Sequence, residues 1–419
     1  MSLLKQISLE IKHAIMFLWQ VFTDTIYAVF HDSGVVVIFI VAGLAYPVLY
    51  NILYWNNSLT EVPVAAVDLS GSIESTRFLR KLDATHDVKI EYRCTSMQEA
   101  ERLLKAQKIH GIILFPKDYS TNIETARDVA HISLYLDMTS FLYMKAFFTA
   151  TNMVMLDEMH NIQIDRYQRM GYGNEFAWSL IQEVPYEEVR LYNESDGYGT
   201  FLIPAVLVLI LHQTLLFGTC MLMGTYYEDK RKIFSGNAHH ISHAILITIG
   251  MALAFTVIYL GLSTIDLILI PRLFSLPHIG SMIDILQFIV PFLLATTFFS
   301  IFVASFMKNR ETGMVLLLST SLIFLFISGV SWPQVSIPKP WVYLSYFFPS
   351  TWGIHGYIHI SSMGATISDT IREYNALWIL AAFYFVLSTI HMYFYIKPKN
   401  RRHVYRNPRL ERYLTKPRT

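Results

Sequence analysis

VVVIFIVAGLAYPVLYNILY, residues Val35 to Tyr54, carries no charged side chain. It runs for about 20 positions, the length a helix needs to cross a hydrocarbon core. Such a segment satisfies its backbone hydrogen bonds within itself, as lipid requires. The same reading applies at Phe201 to Gly224, Ala244 to Ile265, Met282 to Met307, Gly313 to Ser331 and Ala376 to Ile396. The expected fold class is therefore an α-helical polytopic membrane protein with six transmembrane helices. Pro47, Pro204 and Pro291 fall inside spans, where membrane helices tolerate them with kinks.

Composition agrees. Of 419 residues, 53% are hydrophobic and only 16% charged, against about a quarter charged in a soluble domain. The net charge of +1 carries no nucleic-acid signature, and no nucleic-acid partner is expected. Of the two cysteines, Cys94 lies in a polar stretch and Cys220 in an apolar span, so no disulfide is expected between them. The first 33 residues lack a short apolar run with a small-residue cleavage site, so the first span reads as an uncleaved anchor.

Basic residues set the orientation. Lys397, Lys399, Arg401, Arg402, Arg406, Arg409, Arg412, Lys416 and Arg418 crowd the tail against Glu411. Lys230, Arg231 and Lys232 follow the second span, and Lys308 and Arg310 follow the fourth. All are expected on the cytoplasmic side of the plasma membrane, with both termini. Residues 1–33 repeat apolar positions at Ile7, Ile11, Ile15, Leu18, Phe22, Ile26 and Val29, one helical stripe. That stripe fits a helix lying on the cytoplasmic membrane surface or one packed on protein.

Between the first span (34–55) and the remaining spans (199–396), residues 56–198 change pattern. Val62 to Leu69, Val88 to Arg93, Ile109 to Phe115 and Ile132 to Leu136 read as strands. Ser72 to Leu82, Met97 to Ala106 and Ser140 to Met170 read as helices. The alternation predicts an inserted extracytoplasmic α/β domain with a partly parallel sheet. Residues 332–375, with Pro333, Pro338, Pro340 and Pro349, suit short re-entrant helices rather than a span. Residues 397–419 form the basic cytoplasmic tail.

Chemistry is sparse. No G-x-x-x-x-G-K-[ST] loop occurs, so the chain is not expected to be an ATPase, and no cofactor or metal is expected on it. His240 and His243 share a helix face, with His239 beside them, but no acid or thiol stands near. Asp266 and Asp284 fall near outer span ends, where water is expected to reach them. His212 and Gln213 lie mid-span and suit helix–helix hydrogen bonding.

Four stretches carry a family likeness. VPVAAVDLSGSIESTRFLRKL (Val62 to Leu82) joins a strand ending in Asp68 to a helix. IHGIILFPKDYSTNI (Ile109 to Ile123) follows, and VRLYNES (Val189 to Ser195) leads into FLIPAVL (Phe201 to Leu207). SGVSWPQVSIPKPWVYLSYFFPSTWGIHGYIHI (Ser328 to Ile360) is the most specific, with Gly329, Pro333, Pro338 and Pro349 in their places. Together with the layout, these resemble the type-2 permease subunits of ABC transporters in their long form, with a large external domain. One motif departs: YYEDKRKIFSGN after the second span offers Glu228 but no following Gly-Thr pair.

The resemblance implies a permease of an exporter powered by a separate cytoplasmic ABC ATPase, which uses the ATP. It also implies pairing with a second permease as a homodimer or heterodimer. The ATPase would dock on the surface helix and on the loop Glu228, Asp229, Lys230, Arg231 and Lys232. An amphipathic substrate (a drug, lipid or lipid-linked molecule) would leave across a bacterial inner membrane, and some such exporters act with a periplasmic adaptor and an outer-membrane channel. Two other readings remain: an ion-coupled secondary transporter, which needs titratable groups at the membrane midplane, and a membrane anchor for an external binding domain.

Overall fold

Long apolar runs become long helices. The computed structural model describes residues 3–125, 129–181, 189, 191–194, 197–228 and 241–396. The chain separates into two compact units, residues 1–57 with 191–419, and residues 58–190.

In the helical unit, α1 spans Leu3–His31 and α2 spans Ser33–Leu53. Further on come α8 (Tyr198–Glu228), α9 (Ile241–Leu273), α10 (Met282–Ala304), α11 (Arg310–Ile327), α12 (Lys339–Ser345), α13 (Pro349–Met363) and α14 (Ile371–Ile396). The labels between these belong to the other unit. Among the described residues, five helices are long and apolar enough to cross a membrane: Ser33–Leu53, Tyr198–Glu228, Ile241–Leu273, Met282–Ala304 and Ile371–Phe394. The expected Gly313 to Ser331 span falls on α11, an 18-residue helix that is not one of the five. It ends before Ser331 because Gly329 takes φ 85°, a left-handed conformation that stops a helix.

Helix α8 is the axis of this unit. Almost all of its apolar window is buried, and α2, α10, α11 and α13 pack around it. Small residues permit close approach: a Cβ on Gly356 of α13 would lie 2.1 Å from the Phe288 ring of α10. Prolines open the short helices between α11 and α14. Pro349 begins α13 and Pro340 sits in the first turn of α12, where a missing N–H costs nothing. Short helices instead of a span were expected there.

Helix α1 is packed along only part of its length. Val21, Thr25 and Val29 are buried where α1 packs on α9. Ile11, Ile15 and Trp19, nearer the start of the helix, are exposed. Of the stripe, Val29 is buried and Leu18, Phe22 and Ile26 are half-buried.

The other unit contains β1 (Val62–Asp68), α3 (Ile73–Asp83), β2 (Val88–Cys94), α4 (Met97–Lys105), β3 (Gly111–Phe115), α5 (Tyr119–Thr125), β4 (Ser133–Leu136), α6 (Phe141–Arg169) and α7 (Asn174–Ile181). The strand order is β2-β1-β3-β4, with β1 parallel to both neighbours and β4 antiparallel to β3. Alternation along β1 builds two cores. Val64 and Ala66 meet Phe78 and Leu79 of α3 and Phe147 of α6, while Ala65 and Val67 meet Ala100 of α4. Caps start the helices: Ser72 accepts from the Ser75 N–H at 3.1 Å and Ser96 from the Glu99 N–H at 3.4 Å. Among the described residues of this unit, the sequence pattern missed the short α5 and α7. Cys94 and Cys220 are free and buried, one in each unit.

Asp266 overturns an expectation. It was read as a residue near the outer end of its span and open to water, yet it is fully buried. The helix does not stop at Ile265: a π-helical segment, Ile265–Leu269, carries it on to Leu273 and turns Asp266 inward. Asp284, in the first turn of α10, is half-buried.

Candidate functional site

Three chain segments meet at the start of α11. The first is the joint between α1 and α2. Asp32 caps α2 there, its Oδ1 accepting from the N–H groups of Gly34 at 3.1 Å and Val35 at 3.3 Å. An Asp at this position satisfies orphan helix donors and faces the positive end of the helix dipole.

The second segment is the last turn of α8. Thr225 donates from its hydroxyl to Asp32 Oδ2 at 3.1 Å. Glu228, exposed at the helix end, accepts from the backbone N–H of Arg310 at 3.0 Å through Oε1.

The third is the start of α11. Asn309 caps it by accepting from the Thr312 N–H at 3.2 Å. The Arg310 guanidinium then reaches Asp32 Oδ1 at 2.8 Å. Gly224 of α8 lets this turn lie directly against the helix, since a Cβ there would meet the Asn309 carbonyl carbon at 2.7 Å. A Cβ on Gly34 would likewise lie 2.6 Å from the Arg310 guanidinium.

Electrostatics tighten the joint. Burial pushes the Asp32 carboxyl upward. Hydrogen bonds from Arg310, the Val35 N–H and Thr225, with the Arg310 charge, outweigh that and hold it below the usual carboxylate range. The Asp32 side chain is 11% exposed and that of Arg310 34%, so the pair is shielded on one side only. Glu228 thus holds the first peptide of α11, and the Arg310 side chain holds the cap of α2.

Of the five residues expected in the docking loop, the structure places Glu228 in this joint. Asp229, Lys230, Arg231 and Lys232 lie outside the described residues, as do His239, His240 and the basic tail from Lys397. His243 rests edge-on to Phe17 of α1 at 5.6 Å between ring centroids. Sequence reasoning missed Asp32, Thr225 and Gly224, and took Arg310 only as an orientation signal. A polar residue placed against a helix terminus was the one visible hint at Asp32.

Mid-bundle, His212 stacks on Phe299 at 5.6 Å and meets the Phe324 edge at 5.3 Å. The helix–helix hydrogen bonds expected of His212 and Gln213 are not formed, and the buried side-chain nitrogen and oxygen atoms of both are unpartnered. Aromatic faces surround the imidazole where a polar group was expected.

A family model described as ABC-2 family transporter protein matches residues 34–390. No curated protein matches the chain.

Proposed function

The chain belongs to the ABC-2 transporter family, and from that premise we propose that it is the permease subunit of an ATP-driven exporter. Membership makes it a multi-pass membrane component of an ABC transporter. In the proposed reading, a separate cytoplasmic ATPase docks on the loop Glu228, Asp229, Lys230, Arg231 and Lys232 and on α1. The observation that carries this is the joint of Asp32, Arg310 and Glu228, which leads directly into that loop. A push on the loop reaches both α11 and α2 through charged hydrogen bonds, which are stronger than neutral ones.

In this reading α11 is also a crossing, the fifth of six in chain order. Its length of about 27 Å nearly matches a hydrocarbon core of about 30 Å, and Lys308 lies just before it. The tail and the basic loops face the cytoplasm of a bacterial inner membrane. Residues 58–190 form an extracytoplasmic domain, the surface that an adaptor leading to an outer-membrane channel would meet. Two permeases pair, and an amphipathic substrate leaves through aromatic-rich spans.

Purification from native membranes tests the assignment. An ATPase subunit is expected to accompany the chain and to be lost when residues 228–232 are replaced by glycine and serine, with the chain still folded in the membrane. An ATPase that stays bound to the altered loop would overturn the docking assignment. A chain that never carries an ATPase would overturn the subunit reading itself.

A further inference from the structure

The buried carboxyl of Asp266 takes no part in the joint described above. It sits in the π-helical segment Ile265–Leu269 of α9, between buried Leu267 and fully buried Ser263. Neither carboxyl oxygen has a hydrogen-bond partner. The Tyr259 hydroxyl, two turns earlier on the same helix, is also buried. From α13, the Tyr357 hydroxyl donates to the Leu267 carbonyl at 2.7 Å, locking the neighbouring peptide.

The charges around it are few. Among the described residues, no hydrogen bond or ion pair reaches its carboxyl. Helix α8, packed against the π segment, has His212 in its middle and Glu228 at its far end. His355 and His359 belong to α13, and Arg272 of α9 is exposed. Among the described residues no group of three or more ligating side chains could hold a metal ion.

A bare carboxylate buried without a cation costs several kcal/mol, while the neutral acid costs far less. A proton is also the one cation that needs no cavity. Ionisable groups inside membrane helices, and π segments, both mark functional positions. We propose that Asp266 is a proton-binding site, occupied while the π segment is packed and emptied when that segment opens to water. The Tyr357 hydroxyl is the latch, because the opening must break its bond to Leu267.

The purified full chain in lipid nanodiscs is enough for the test, so the result is independent of any ATPase. Infrared spectra should show a protonated-acid carbonyl band in the wild type at neutral pH that Asp266→Asn abolishes and Asp266→Glu moves. Asn mimics the neutral acid, so Asp266→Asn should fold as well as the wild type. The packed state holds a proton that an opened chain releases, so rising pH should lower the wild-type thermal midpoint more steeply than that of Asp266→Asn. Tyr357→Phe should speed deuterium exchange of the band. Identical spectra for wild type and Asp266→Asn would overturn the proposal. So would a wild-type midpoint that responds to sodium or potassium at fixed pH and loses that response in Asp266→Asn, which would assign the site to a metal cation.

Discussion

Replacing Arg310 by alanine removes a side chain that joins the start of α11 to the cap of α2. The loss can be sized from the contacts. Arg310 donates one charge-assisted hydrogen bond to Asp32 at 2.8 Å, and such a bond contributes about 1.5–3 kcal/mol. Arg310 is 34% exposed, so water screens part of the interaction and the lower end applies, about 1–2 kcal/mol. Asp32→Asn is the matching change on the other side, since Asn still caps a helix but carries no charge. A double-mutant cycle of Arg310→Ala and Asp32→Asn isolates the pair. Reversible unfolding in mixed micelles should give a coupling of about 1 kcal/mol or more. In the assembled transporter, about 1.4 kcal/mol would shift the equilibrium between states tenfold, read as ATP hydrolysis that proceeds with little transport. A coupling near zero, within about 0.3 kcal/mol, would refute the reasoning and leave Arg310 as an orientation signal only.

The pH dependence of that joint has a definite sign. The Asp32 carboxyl is held below its ordinary value, so its contribution is present above the unfolded value of about 4 and is lost as pH falls through the lower folded one; the cycle coupling should stay flat from neutral pH down to that range. Gly224→Val places branches where even a Cβ meets the Asn309 backbone. Overpacking of this kind costs about 1–3 kcal/mol, visible as a lowered thermal midpoint, and an unchanged midpoint would mean that α11 does not rest on α8. Trp19, exposed on α1, should be quenched by brominated lipid in vesicles; a fluorescence spectrum typical of water with no quenching would place that side chain away from lipid.

Much of the architecture was legible in order along the chain. Period-two and period-three-to-four patterns located β1 to β4, α3, α4 and α6 within a few residues, because alternation and amphipathicity are local properties. Helix ends were harder. The span expected to close at Ile265 continues to Leu273, since a π turn leaves no mark in composition. The span expected to reach Ser331 stops earlier at Gly329, whose backbone freedom is used only once the chain must turn.

Only part of the candidate site could be read in advance. Glu228 was visible as an acid following an apolar span. Its bond to the Arg310 backbone was not, because the partner lies 82 positions away. Asp32 and Arg310 are 278 positions apart, and each alone is an ordinary charge at the edge of a span.

The amino-acid sequence by itself determined which segments leave water and which keep it. That question depends on run length and composition, and the free energy of burying apolar surface adds up locally. Tertiary structure alone decided which charges meet, which face of α1 packs on α9, and that Asp266 is sealed from solvent. Those outcomes depend on the field and the space made by neighbours remote in sequence, so no single stretch of residues encodes them.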